Sequence, residues 1–147
     1  MSKCCCGSND EINLLFPCSG GADLGELADR VARRMAAAGL ARISCLAGVG
    51  ADISGFVVSA RDADQVITID GCPLRCAAKN LQNRDIATKS FVLSDLGYEK
   101  GLTAVTEETV EAAFQILAAE LKKSSEKADK SPTKKNSKDS GCGCGSC

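Results

Sequence analysis

The stretch Val66–Cys76 reads VITIDGCPLRC. Its first half is a β-branched apolar run, the pattern of a strand buried on both faces. Asp70, Gly71, Cys72 and Pro73 then end the run within four residues. Pro73 is expected at the first position of a short helix, where its missing N–H costs nothing. Leu74, Ala77, Ala78 and Leu81 can then face inward. With Cys72 as the cap, Cys76 lies one turn into that helix, on the same face. The unit predicted here is a strand whose end carries two thiols at a helix N-terminus.

Similar units surround it. INLLFPC (12–18) reads as a first strand and ARISCLAG (41–48) as a second. QVITID (65–70) is the third and KSFVLSD (89–95) the fourth. Between the first two, Asp23 and Glu26 have the spacing of a capping box. Leu24, Leu27, Ala28, Val31, Met35 and Ala38 recur at helical period. Arg33 and Arg34 suit the negative end of that helix, and Gly39 stops it. Asp52 is expected to cap a short helix with Ile53, Phe56, Val57 and Ala60 on one face. Thr106 starts the last helix, whose buried stripe is Val110, Ala113, Phe114, Leu117 and Leu121. Strands alternating with helices predict a small three-layer α/β domain with a doubly wound parallel sheet, Rossmann- or flavodoxin-like. Four strands in the order 2-1-3-4 satisfy the crossover rules.

The domain is expected over residues 12–121. Residues 1–11 form a polar arm with Cys4, Cys5 and Cys6. From Lys122 to Cys147 the chain is rich in Lys and Ser, and disorder is expected because little apolar surface is available to bury. That tail ends in Cys142, Cys144 and Cys147. Its lysines read as a solvated linker. The 147 residues include ten Cys and no His, at a net charge of −1. Nothing in the charge points to nucleic acid, and no stretch is long enough to span a membrane. The start of the chain does not read as a secretory segment. A cytoplasmic location follows, where thiols serve as metal ligands or redox groups more often than as disulfides. Without His, any metal site rests on thiolates, which favour zinc, Cu(I) or an iron–sulfur cluster.

Cys18, Cys45 and Cys72 each follow a predicted strand, at intervals of 27 residues. In a parallel sheet all strand ends share one edge, and ligands bind there, most often where the strand order reverses. Cys18 and Cys72 would flank that point, with Cys45 beside them and Cys76 following Cys72. Four thiols thus converge on one place. Helix N-termini favour the negative charge of a thiolate. Asp70 and Asp95 fall on the same edge, as outer-sphere acceptors of a metal site, as ligands, or as turn residues.

The segment IDGCPLRC (69–76) carries the Asp-Gly-Cys signature of the DGC-domain family, described as prokaryotic zinc-binding proteins. PCSGGADLGELADRVARRM and ISCLAGVGADISGFVVSARDADQVITIDGCPLRCAAK also resemble that family, over about residues 13–120. The resemblance implies zinc held by Cys18, Cys45, Cys72 and Cys76. It implies no defined reaction, and the two terminal Cys clusters lie outside it.

Other chemistry is less well served. A Cys-based phosphatase loop would need Arg six positions after Cys18, where Leu24 stands. GVGADISG lacks the glycine spacing of a dinucleotide loop. The leading expectation is a zinc or soft-metal binder acting in metal sensing or trafficking, with no catalytic residue assigned. Four thiolates close a tetrahedral shell and leave no open position for catalysis. The alternative is a thiol redox or sulfur-transfer enzyme with Cys72 or Cys18 as nucleophile. A third reading is an iron–sulfur protein. The expected partners are the metal ion and a protein that donates or accepts metal or sulfur. Cys4, Cys5, Cys6, Cys142, Cys144 and Cys147 would be accessory soft-metal ligands.

Overall fold

The structure, a computed structural model, describes residues 11–128. Its elements run β1 (Asn13–Pro17), α1 (Asp23–Ala37), β2 (Arg42–Ile43), α2 (Leu46–Gly50), α3 (Ser54–Asp62), β3 (Gln65–Asp70), α4 (Cys76–Gln82), β4 (Lys89–Val92) and α5 (Glu107–Ala128). A single 3-10 turn, Leu93–Leu96, follows β4. All strand pairs are parallel and the sheet order is β2-β1-β3-β4, as the alternating pattern predicts. The termini that carry Cys4, Cys5, Cys6, Cys142, Cys144 and Cys147 lie outside the described residues.

The pleat divides the apolar side chains between two cores. Leu15, Ile67 and Ile69 face α1 and α5, and pack with Leu27, Val31 and Leu117. Leu14, Phe16 and Val66 face the other way, toward Val49 of α2, Val57 of α3 and Leu81 of α4. Alternate residues of one strand thus feed opposite layers. The predicted stripe of α1 is buried except at Ala38, which is exposed as the chain leaves the helix. There Gly39 takes φ +72°. Its N–H donates to Ala36 O, and the Leu40 N–H donates to Met35 O. That is a Schellman ending, completed by half-buried Leu40 against the core.

Four local expectations are corrected. Ala22, not Asp23, caps α1, and Asp23 is instead a tether for a distant loop. Its carboxylate accepts from the Gly101 and Thr103 amides at 2.8 and 3.2 Å. Burial pushes the Asp23 carboxyl up, but the Leu24, Gly101 and Thr103 amides outweigh it and leave it below its ordinary value. The second strand is only two residues long, because Leu46–Gly50 turns helical directly after Cys45. Asp52 does not cap the next helix; it closes α2 with φ +55°, and Ile53 leads into α3. Only Val57 and Ala60 of that helix are buried, while Phe56 and the preceding Ile53 are exposed. The last helix, α5, runs to Ala128. Its start is as expected: Thr106 Oγ1 accepts the Thr109 amide at 3.2 Å, a side-chain N-cap.

Candidate functional site

Cys18, Cys45 and Cys72 follow β1, β2 and β3 at the carboxyl edge of the sheet. The connection from β1 leaves over one face and that from β3 over the other, so the ends of β1 and β3 form the switch point of the winding. Cys18 stands there directly after β1. Its amide donates to Ile69 O at 2.9 Å, extending the β1–β3 ladder by one rung. Its Sγ accepts the Gly71 N–H at 3.4 Å. The first thiol is therefore bonded into the Asp-Gly-Cys turn itself.

Each residue of that turn has a distinct mechanical task. Asp70 is 1% exposed. Its two carboxylate oxygens accept the Ala77 and Ala78 amides at 2.7 and 3.1 Å. These are free N–H groups of the first turn of α4, so a strand-end carboxylate substitutes for an ordinary N-cap. Gly71 presses on α1: a Cβ there would lie 2.7 Å from Leu24 O and 2.8 Å from Leu24 C. Its carbonyl accepts the Ser94 amide at 3.2 Å. Cys72 opens a β-turn that closes when the Arg75 amide donates to Cys72 O at 3.1 Å. Pro73 occupies the second turn position, where its fixed φ is also favoured.

The expected helix start at Pro73 is thereby corrected. Arg75 adopts φ +52° and the helix begins only at Cys76. Proline serves a turn and a helix start equally well, and sequence pattern does not separate them. Leu74, expected to face inward, is 59% exposed in that turn. Cys76 is exposed at the first helical position instead of one turn in, and Cys72 is half-buried. Asp95 is exposed on the 3-10 turn beyond β4.

On the other side of Cys18 an open crevice of 680 Å³ lies between the ends of β1 and β2. Cys18 and Cys45 both line it. Cys45 is exposed and caps α2, its Sγ accepting the Gly48 N–H at 3.3 Å. Phe56 forms an apolar wall, and Asn80 reaches in from α4. The rim is a chain of polar groups. Ser19, at φ +44°, donates its hydroxyl to Asp29 at 3.0 Å, and Arg33 Nε donates to the same carboxylate at 2.6 Å. The Arg33 hydrogen bond, opposed by burial and aided by Ser19, holds the Asp29 carboxyl below its ordinary value. Arg33 is thus a crevice residue as well as a helix-end charge. Its spacing of four from Asp29 was a readable signal, whereas Phe56 and Asn80 arrive from other helices with no local mark.

Chemically, the four thiols suit a soft ion: Cys18, Cys45, Cys72 and Cys76 are all free. The structure brings Cys18 to the Asp-Gly-Cys turn, and Cys18 and Cys45 to one crevice. Among the described residues, no three Cys, Asp or Glu side chains are gathered tightly enough to hold one ion. No helix of the described residues is long and apolar enough to cross a membrane.

Comparison with known proteins agrees with the motif. The chain is 37% identical over 93 residues to the anaerobic and virulence modulator AnvM of Pseudomonas aeruginosa, covering 63% of this chain and 71% of that protein. No solved structure matches. The family model of the DGC domain matches residues 14–117, a span that includes every core cysteine, the Asp70–Cys72 turn and all of the sheet but Asn13, and the chain therefore belongs to the DGC-domain family.

Proposed function

We propose that this DGC-domain protein is a cytoplasmic soft-metal binder, with zinc as its ion and sensing or carriage as its task. Cys18, Cys45, Cys72 and Cys76 would hold the ion, and loading must draw these thiols together, since no three are gathered in the structure. The single observation that carries the reading is the bond from Gly71 N–H to Cys18 Sγ, which ties the thiol of one strand end to the turn bearing two others. A bound zinc ion would supply a closed tetrahedral cross-link, a structural or switching element with no position free for substrate. The chain's own residues supply the frame: Asp70 fixes α4, Gly71 lets the turn approach α1, and the exposed Cys45 and Cys76 have room to move. The name of the Pseudomonas relative, a modulator, favours sensing over simple storage. Partners are then a protein that gives or takes the ion, and the terminal Cys clusters would be loose accessory ligands.

The test is anaerobic purification of the full chain with Cys4, Cys5, Cys6, Cys142, Cys144 and Cys147 replaced by Ser. About one zinc per chain is expected, the stoichiometry of a four-thiolate shell. Alkylation of Cys72 and Cys76 should be slow until a chelator is added. Folded protein that takes up no soft metal would overturn the reading. A visible charge-transfer spectrum with iron would replace zinc by an iron–sulfur cluster.

A second reading, a thiol redox or sulfur-transfer enzyme, is favoured by one observation. Cys18 opens onto a crevice that already contains another free thiol. Fast labelling of Cys18 or Cys72 in fully metal-loaded protein would move the assignment to that class.

A further inference from the structure

Cys18 and Cys45 sit at the ends of neighbouring strands. The β1–β2 register sets Leu14 against Arg42 and Leu15 against Ile43, and the Ser44 amide donates to Leu15 O at 2.9 Å. Continued by two residues, that register sets Cys45 beside Pro17, next to Cys18. Adjacent strands lie about 4.8 Å apart. A disulfide needs Cα atoms about 4.4–6.8 Å apart. One residue along from that rung, the Cα atoms of Cys18 and Cys45 fall about 6 Å apart on the diagonal, within disulfide range. Both residues line one crevice, and each Sγ, bonded to the Gly71 or the Gly48 N–H, must turn about χ1 to meet the other. They differ in access: Cys45 is exposed and Cys18 half-buried behind it. The crevice, 680 Å³, is of the size that admits a small molecule. Its apolar wall at Phe56 can take the sulfur-bearing centre of such a molecule, and the rim at Arg33 and Asn80 offers donors for a carboxylate. Arg33 is 68% exposed while Asp29 fixes its guanidinium plane.

We infer that this crevice is a thiol–disulfide exchange site for a low-molecular-weight disulfide that carries carboxylates, with Cys45 attacking and Cys18 resolving. Cys45, as thiolate, attacks one sulfur of the disulfide RSSR. The RS–SR bond breaks, a Cys45–SR bond forms, and the first RS⁻ leaves. Cys18, as thiolate, then attacks Cys45 Sγ and expels the second RS⁻ as the Cys18–Cys45 bond forms. Two protons pass from the protein thiols, through solvent, to the two leaving thiolates. The dithiol loses two electrons and RSSR gains them, giving two RSH. The exchange uses two of the four thiols of the proposed metal site, and rests on that reading only for its consequence: a Cys18–Cys45 disulfide leaves too few thiolates to keep the ion.

The experiment uses the full chain with the six terminal Cys replaced by Ser, stripped with chelator and treated with glutathione disulfide. Non-reducing digestion and mass spectrometry are expected to find a Cys18–Cys45 cross-link as the main product. Cys18→Ser should stop at a Cys45–glutathione adduct, and Cys45→Ser should yield neither the cross-link nor rapid adduction at Cys18. Arg33→Ala should slow the reaction about two- to fivefold, the worth of one exposed ion pair. It should leave the rate with an uncharged disulfide unchanged. Separate adducts on Cys18 and Cys45 without a cross-link would overturn the inference, as would a Cys72–Cys76 cross-link formed first. Zinc uptake is measured on the same protein before oxidation. A cross-link without zinc uptake refutes the metal reading alone, and zinc uptake without the cross-link refutes the exchange alone.

Discussion

The turn after β3 and the turn after β2 both end a parallel strand in a cysteine, yet they are built in opposite ways. The first is tied on every side. Asp70 clamps two amides of α4, Gly71 touches the Leu24 backbone, Ser94 bonds the Gly71 carbonyl, and Arg75 closes the loop on Cys72. The second follows a two-residue edge strand whose residues are both exposed; there the Ser44 amide bonds Leu15 O, and Cys45 accepts the Gly48 N–H on its sulfur and the Val49 N–H on its carbonyl. Backbone ties make the Cys72 turn a rigid platform. With fewer ties, and no buried carboxylate among them, the exposed Cys45 side is freer to meet a reagent or to close on an ion. A thiol site with one fixed wall and one yielding wall can hold a ligand and also release it.

The sharpest way to break this contrast is to remove the clamp. Asp70→Ala leaves the Ala77 and Ala78 amides, both fully buried residues, without an acceptor. Hydrogen bonds to a charged group contribute about 1.5–3 kcal/mol each and are not additive, so a loss of about 3 kcal/mol is expected. Urea unfolding at neutral pH measures it. Asp70→Asn should lose about half as much, because the amide keeps one acceptor but turns a donor toward another N–H. A loss under about 0.5 kcal/mol for Asp70→Ala would show that the turn is not the rigid partner.

Gly71→Ala should come next, at about 2 kcal/mol, the range of overpacking against immovable neighbours. The new Cβ meets Leu24 backbone atoms, so the turn or α1 must shift. If the Cys18–Gly71 link matters for metal, this variant should also weaken zinc uptake in a chelator competition.

Sheet order, the stripes of the long helices α1 and α5 and the placing of cysteines at one edge were readable because each rests on the periodicity of strand and helix. The 27-residue spacing of Cys18, Cys45 and Cys72 works for the same reason: each βα unit returns the chain to the same edge. Three things were not readable. ARISCLAG fits a strand and a strand-plus-helix equally well, so the turn at Cys45 depends on α2 finding its place on the sheet. Pro73 satisfies a turn or a helix start, and the choice is made by Asp70, whose carboxylate captures the amides at positions 77 and 78. The crevice draws Asp29 and Arg33 from α1, Phe56 from α3 and Asn80 from α4, and only the Asp29–Arg33 pair is local enough to see.

Gly48→Ala tests the yielding side. A Cβ there would lie 2.4 Å from the Phe56 ring, a clash at least as close as that at Gly71. The obstacle, however, is the far end of a side chain that is 36% exposed and can swing into solvent. Alanine also gains up to about 1 kcal/mol of helix propensity over glycine. The net loss is expected to be about 1 kcal/mol or less. The displaced ring should change the rate of Cys45 alkylation more than it changes the unfolding midpoint. A loss as large as that of Gly71→Ala would mean both walls are equally rigid.

The smallest effect concerns the rim of the crevice, and its pH dependence carries the argument. Asp29 has its native carboxyl below the ordinary value of 3.8, chiefly through the Arg33 hydrogen bond. As pH falls, the unfolded chain therefore takes up this proton before the folded chain does, and stability declines through that interval. The contribution is complete above the ordinary carboxylate value and gone once the pH passes below the depressed native one. At neutral pH Asp29→Asn should cost about 0.5 kcal/mol, the scale of an i,i+4 pair open to solvent. Urea midpoints of the two proteins should converge as the pH is lowered through that interval, and the difference at neutral pH should shrink in high salt. The same substitution frees the Arg33 guanidinium and loosens Ser19 from its strained backbone position. Exchange with an anionic disulfide should then speed up slightly while stability falls. A stability difference that persists unchanged into strong acid would mean that Asp29 acts through packing, and the charged rim would have to be reassigned.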